Sequence, residues 1–358
     1  MKISTIDLAF MHRTIEMMYR RKLVLWGAGW YVGSFIEEFC GVGKLLPIPY
    51  GVCDSTRTLS ETSIAGVPVI PFSELNSMDP DVVAVIMTAG LLDLTAQIVP
   101  NEMYYFPVYH RRSFEAYSFI IKNKALCDTS IGLLADQKSK YVYRKRIENL
   151  LTGGIWDQSI YEGHAYFGND LVGEIPSDGS FVFAGAFNGK HIVRAINNNP
   201  DVRVMAFEPS NLWYSKLCEQ FGRNPEIEIH KKILWDDDIQ LPFEEDTSNS
   251  GLTAHVSTSM HSTHSYMVDT IRIDEIAADR KVVQIALDVE GSEQHAIRGA
   301  EQTLKRDLPT MCVCLYHHFD DYFNLPQLIH HIGSGKYRLF VKQHSCISAI
   351  ETVLYAVR

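Results

Sequence analysis

F-A-G-A-F-N-G at Phe183–Gly189, A-F-E-P-S at Ala206–Ser210 and L-D-V-E-G-S-E at Leu287–Glu293 succeed one another in the C-terminal half of the chain. The first sets glycines at the end of an apolar run, where a buried strand turns into a helix. The second closes the next apolar run on a carboxylate roughly twenty residues on, the spacing of a nucleotide-binding βαβ unit whose acidic residue holds a ribose. The third ends a further strand with carboxylates around a glycine, the place where open α/β sheets gather ligands and chemistry.

Working outward, strands and helices alternate. The patterning predicts strands at Phe181 to Ala184, Arg203 to Phe207, Ile227 to Leu234, Met267 to Ile273, Val282 to Leu287 and Thr310 to Leu315. It predicts helices at Lys190 to Asn197 and Leu212 to Phe221, and a closing hairpin from Tyr337 to Lys342 and Thr352 to Val357. Such alternation implies a mostly parallel sheet covered on both faces. Pro242 to Ser265, rich in acidic, Ser/Thr and His residues, reads as a long irregular insert, and such inserts are commonly functional.

The N-terminal half repeats the theme more loosely. Ile6 to Tyr19 has helical apolar spacing. Lys22 to Trp26 runs into Gly27, Gly29 and Gly33, and Pro49 to Cys53 ends on Asp54, a loose dinucleotide fingerprint. Its use for a nucleotide-sugar or nicotinamide competes with a degenerate domain used for dimerisation or acceptor docking. Leu133 to Leu151 reads as a helix stopped by Gly153-Gly154.

A chain of 358 residues with 46% hydrophobic side chains can build two cores. The formal charge of −10 and the lack of a Lys/Arg run argue against nucleic acid as a partner. No stretch approaches a membrane span or a signal peptide. Seven scattered cysteines without C-x-x-C spacing suit a reducing, cytoplasmic setting. His255, His261 and His264 lack a carboxylate or cysteine partner, so a polar loop is expected there and no metal.

From about Lys140 onward, the order of glycine turn, E-P, D-V-E-G-S-E, Y-H-H-F-D-D (Tyr316 to Asp321) and E-T-V-L-Y-A (Glu351 to Ala356) resembles the FkbM-like methyltransferases. Ala65-Gly66-Val67-Pro68-Val69 with Phe72-Ser73-Glu74-Leu75 resembles the small Rossmann-like N-terminal domains of sugar acetyltransferases. The resemblances imply an α/β protein: a Rossmann-like domain over 1–110, helices over 111–150, and a class I, seven-stranded, doubly wound methyltransferase domain over 151–358. They imply S-adenosylmethionine as cofactor, surrounded by Gly185, Ala186, Asn188, Gly189, Glu208, Pro209, Asp288 and Glu290. The acceptor would be a small molecule or glycan, at a hydroxyl of a sugar, nucleotide-linked sugar or glycan precursor, and homo-oligomers are compatible with this plan.

Each assignment has a bland counterpart. Gly185 and Gly189 admit a ligand or serve tight packing alone. Glu208 can accept hydrogen bonds from both ribose hydroxyls. Asp288 suits orienting the acceptor or taking its proton, against helix capping by Asp288 or Glu290. His317 is the expected general base because its ordinary pKa is near working pH. Asp320 and Asp321 would orient the imidazole or cap a helix, and His344, Ser345 and Glu351 support substrate or fold. Phe183 and Ala286 stand where the family has an aspartate and a lysine; Asn188 or Asp178 is expected to substitute for the first. These departures keep a non-catalytic binding protein as a rival reading.

Overall fold

The computed structural model describes residues 8–27, 32–53, 62–78, 82–86, 104–107, 111–152, 158–163, 165–245, 254–256, 265–345 and 351–358. The chain divides into two compact units, one of residues 2–124 with 144–155 and the other of 125–143 with 156–358.

The first unit is built on six strands: β1 (Lys22–Trp26), β2 (Gly51–Cys53), β3 (Ser63–Ile64), β4 (Val67–Ile70), β5 (Val82–Ile86) and β6 (Tyr104–Pro107). They lie in the order β3-β4-β2-β1-β5-β6, parallel except for the β3–β4 pair. Helix α1 (Ala9–Arg20) buries Met11, Thr14 and Met18. Helix α2 (Val32–Phe39) buries Val32, Phe35, Ile36 and Phe39, an i, i+3, i+4, i+7 stripe. Short α3 (Phe72–Ser77) follows β4, and α4 (Arg111–Lys122) brings Phe114 against Phe35, with ring centroids 5.6 Å apart. The remainder of the N-terminal fingerprint, Gly29 and Asp54, lies outside the described residues, and so do His261 and His264.

The second unit opens with α5 (Lys124–Gly132) and the first part of α6 (Gln137–Thr152). The single helix expected from Leu133 starts only at Gln137, because Leu134 forms a parallel bridge with Leu339 and the Ala135 amide donates to the Leu339 carbonyl. Asp136 then takes the Ser139 amide at 2.6 Å, a side-chain oxygen closing off the first turn.

Its seven-stranded sheet uses β7 (Ser180–Ala184), β8 (Arg203–Phe207), β9 (Ile227–His230), β14 (Val282–Leu287), β15 (Thr310–Cys314), β16 (Arg338–Gln343) and β17 (Thr352–Val357), in the order β16-β17-β15-β14-β7-β8-β9. The five strands from β9 to β15 are parallel, and β17 runs antiparallel to both neighbours. The chain starts in the middle at β7, moves outward through β8 and β9, and returns on the other side at β14. The carboxyl ends of β7 and β14 therefore form a topological switch point, where such sheets open a crevice. Helices α7 (Lys190–Asn198), α8 (Asn211–Phe221), α9 (Ile273–Ile276), α10 (Glu293–Arg298), α11 (Glu301–Asp307) and α12 (Asp321–Ile332) connect and follow the strands.

The stretch from Ile227 to Leu234 is two strands, not one. Its second part, β10 (Ile233–Leu234), joins β11 (Gln240–Glu245), β12 (Ala254–Val256) and β13 (Ser265–Ile271) in a separate sheet ordered β10-β13-β11-β12. The insert expected to be irregular is thus largely β structure among the described residues. Ile233, Phe243 and Val268, with Trp235, Leu241, Val256 and Tyr266 packed against them, give it a small core of its own.

Phe183 and Ala286 are neighbours in register on β7 and β14, and both are buried in the main core with Phe181, Cys312, Cys314 and Tyr355. A carboxylate at 183 would have to desolvate there, whereas a buried Phe contributes about 2–3 kcal/mol. Gly185 has φ +81 and a Cβ on it would lie 1.9 Å from the Asp288 carbonyl oxygen. We expect Gly185→Ala to lose at least about 3 kcal/mol in urea unfolding, from the left-handed backbone and the overlap together. Gly66→Ala, at φ +78 but facing open space, should lose only about 1–2 kcal/mol; equal losses would remove the close approach as the cause.

Candidate active site

The carboxyl ends of β7, β8, β14 and β15 bring the three sequence signatures into one cluster. The Asp288 amide donates to the Ala184 carbonyl, and the Gly185 and Ala186 amides donate to the Phe207 carbonyl. The required glycines serve packing: Gly185 lets the tip of β7 lie against the Asp288 backbone, and a Cβ on Gly189 would lie 2.6 Å from the Phe221 ring. Between them the turn passes through Phe187 at φ +46 and presents its amide to Glu208 Oε2 at 2.7 Å. Glu208 Oε1 accepts the Ser210 amide at 2.9 Å. Burial outweighs these two N–H donors, which favour the anion, and with the nearby Glu245 charge it raises the Glu208 carboxyl to about 7.

Asp288 lies on the other side of the turn. Its Oδ1 accepts the Tyr316 hydroxyl at 2.7 Å and its Oδ2 the Tyr166 hydroxyl at 3.1 Å. His317 Nε2 stands 3.4 Å from Oδ1, while His317 Nδ1 is 2.7 Å from Oε1 of fully buried Glu293. Burial would depress the imidazole, yet the Glu293 hydrogen bond and the charges of Glu293, Asp288 and Glu290 overcome it and lift His317 to about 9. His317, the expected base, has a side chain only 7% exposed and stands among the carboxylates of Glu293, Asp288 and Glu290, which favour its charged form. Glu293, rather than Asp320 or Asp321, orients the ring; Asp321 instead accepts from Gln294 at 3.0 Å.

Other expected residues are distributed unevenly. Ala186 is buried, Asn188 is exposed and caps its own turn by accepting the Lys190 amide, and the Pro209 carbonyl lies 3.3 Å from the Tyr266 hydroxyl. Glu290 is half exposed beside His317. Asp178 cannot stand in for the absent aspartate at 183, because it pairs with Lys281 at the opposite, amino-terminal edge of the sheet.

Tyr166 carries no motif and was not singled out from sequence. Its backbone sits at φ +70, its amide donates to the Tyr355 hydroxyl at 3.0 Å, and its carbonyl accepts Gln284 Nε2 at 3.1 Å. Tyr355 in turn meets His344 Nε2 at 2.7 Å, and His344 Nδ1 meets the Glu162 carbonyl at 2.7 Å. His344 therefore supports the segment that holds Tyr166 against Asp288, while the carbonyl of Ser345 accepts from Gln343. Glu351, at φ +61, feels the charges of Asp288, Lys190 and Arg194, and burial raises its carboxyl. Tyr166, Phe187, Glu290 and Glu351 all have left-handed backbones. Strained backbone of this kind concentrates at functional sites.

Residues 184–339 match the model of the Methyltransferase FkbM domain, a span of less than half the chain. The crystal structure of Methyltransferase FkbM from Methylobacillus flagellatus KT superposes with a TM-score of 0.61 at 19% identity, covering 96% of this chain and 93% of that one. The fold is thereby that of a class I methyltransferase. Aeropyrum pernix fibrillarin, in a complex with natively bound S-adenosyl-L-methionine, overlaps less, with a TM-score of 0.34 at 12% identity over 53% of this chain and 70% of that one. No curated protein matches the chain.

The partners of His317 favour its charged form, so its ring protons should titrate with a midpoint near 9 in proton NMR. Replacing Glu293 with Gln should move that midpoint back toward the ordinary value of about 6.5. Since the folded value lies above the unfolded one, the stabilisation is complete below about pH 6.5 and is lost as pH rises through 9. A wild-type midpoint at or below the ordinary value would contradict this arrangement.

Proposed function

We propose that the second unit binds S-adenosylmethionine between Glu208 and Asp288 and transfers its methyl group to a hydroxyl of a sugar, nucleotide-linked sugar or glycan precursor. The observation that carries this is the pair of carboxylates at a sheet switch point, joined through the strained turn from Gly185 to Gly189. Each Glu208 oxygen accepts one amide, and a carboxylate oxygen carries two lone pairs, so each keeps an acceptor position suited to one of two vicinal ribose hydroxyls. The acidic groups Asp288, Glu290 and Glu351 suit a sulfonium cation.

When bound, the cofactor supplies an electrophilic methyl group. The chain supplies position and charge. Two phenol hydroxyls and the His317 imidazole fix the plane of the Asp288 carboxyl group, and it accepts the hydroxyl proton set free as the acceptor oxygen gains its methyl. The same carboxylates disfavour a phosphate at the reacting end, so a nucleotide handle would extend away from it. The N-terminal likeness to sugar acetyltransferase domains supports a sugar-bearing acceptor. A degenerate binding protein is the second reading, motivated by the burial of Phe183 and Ala286; retained cofactor binding without turnover over a panel of sugars and nucleotide sugars would favour it.

Calorimetry with 5′-methylthioadenosine, which carries the ribose without an amino-acid part, isolates the Glu208 contact. The ribose requires the ionised carboxylate, so affinity should rise about tenfold from pH 6 to pH 8 as Glu208 titrates near 7. Glu208→Gln should weaken binding at pH 8 by about tenfold or more and remove the pH dependence. Absence of saturable binding of either this nucleoside or S-adenosylmethionine would overturn the proposal.

A further inference from the structure

The accessory sheet reaches the proposed adenosyl site through a buried polar chain. Ser210 stands at its centre: its amide donates to Glu208 Oε1 at 2.9 Å, and its hydroxyl donates to Glu245 Oε1 at 2.5 Å. The Trp213 amide donates to the same hydroxyl at 3.2 Å, so Ser210 also caps α8. Glu245, the last residue of β11, takes the Tyr266 hydroxyl of β13 on its Oε2 at 2.8 Å. The Tyr266 oxygen accepts the Asn211 amide at 3.0 Å.

Ser210 is fully buried, and Glu208 and Glu245 are each only 6% exposed. Two carboxylates are therefore held in a poorly solvated region on opposite sides of one serine. Burying carboxylates costs free energy that only their hydrogen bonds offset, and each of the four oxygens has a donor here. Methyltransferase-like sheets do not need β11 to β13 to close, since the accessory strands form no part of the seven-stranded order. What the accessory sheet adds at this edge is Glu245 and Tyr266.

We infer that Glu245 and Tyr266 are positioning residues for Glu208, so that the accessory sheet is a component of the adenosyl-ribose site. The inference rests on the reading of Glu208 as the ribose ligand. Tyr266 orients Glu245, Glu245 fixes the Ser210 hydroxyl, and Ser210 aims Glu208 through its amide. The charge of Glu245 also disfavours ionisation of Glu208, which ties the occupancy of the site to pH. Among the described residues, Lys231 lies 5.6 Å over the Tyr266 ring and His230 of β9 stacks on Phe207.

The test is calorimetry with 5′-methylthioadenosine at pH 6 and pH 8 on the full chain, its Glu245→Gln and Tyr266→Phe variants, and Glu208→Gln. Glu245→Gln removes the repelling charge, so the gain in affinity between the two pH values should be smaller than in the wild type, through tighter binding at pH 6. Tyr266→Phe should weaken binding at pH 8 by about threefold or more, with circular dichroism unchanged, as a hydrogen-bond partner is lost. Uniform weakening of Glu245→Gln at both pH values would mean a merely structural role and overturn the inference. So would wild-type affinity and pH dependence in both variants. If the wild-type chain itself does not bind the nucleoside, the fault lies with the adenosyl reading, a result distinct from either of these.

Discussion

The tips of β7 and β14 touch where position 185 has no side chain. The Asp288 carbonyl occupies the place a Cβ would start from, at 1.9 Å, and this close approach fixes how the turn after β7 and the carboxylate after β14 stand relative to each other. The same turn hands an amide to Glu208 from Phe187. One left-handed glycine thereby sets the separation between the two acidic ends of the crevice. Residues further along each strand, Phe183 and Ala286 among them, are then free to be core.

Charge in the crevice is arranged by substitution. Position 286 holds an alanine inside the main core, so no cation projects from β14 toward Asp288. His317 reaches the same carboxylate from the segment after β15, and its Nδ1 is 2.7 Å from Glu293, which has no exposure at all and favours the charged ring. A lysine and an imidazolium differ in reach and geometry, but either neutralises an inward-facing carboxylate and limits its motion. Asp288, held by Tyr166 and Tyr316, has its side chain 28% exposed.

Much of the second unit was legible in the sequence because parallel buried strands leave near-continuous apolar runs; β8, β14 and β17 lie where the pattern placed them. The positions of Glu208 and Asp288 at strand ends were legible from spacing. What could not be read depends on contacts across long sequence separations. Tyr166 meets Asp288 over 122 residues of separation, and nothing local marks it. His317 looked like a base because its ordinary pKa is near neutral, and only the folded arrangement shows Glu293 lifting it. The insert looked irregular because its short strands alternate with polar residues, while Ile233, Phe243 and Val268 meet only in three dimensions. Asp178 looked available to replace a missing carboxylate, yet five residues of extended strand carry it to the far edge of the sheet.

The most direct test of the central claim, that Glu208 and Asp288 flank one adenosyl site, is a crystal structure with S-adenosylhomocysteine. The account predicts both ribose hydroxyls within hydrogen-bond distance of the Glu208 carboxylate and the sulfur on the side of the turn that faces Asp288. Adenosyl density elsewhere in the molecule, with Glu208 bonded only to the amides of Phe187 and Ser210, would contradict it.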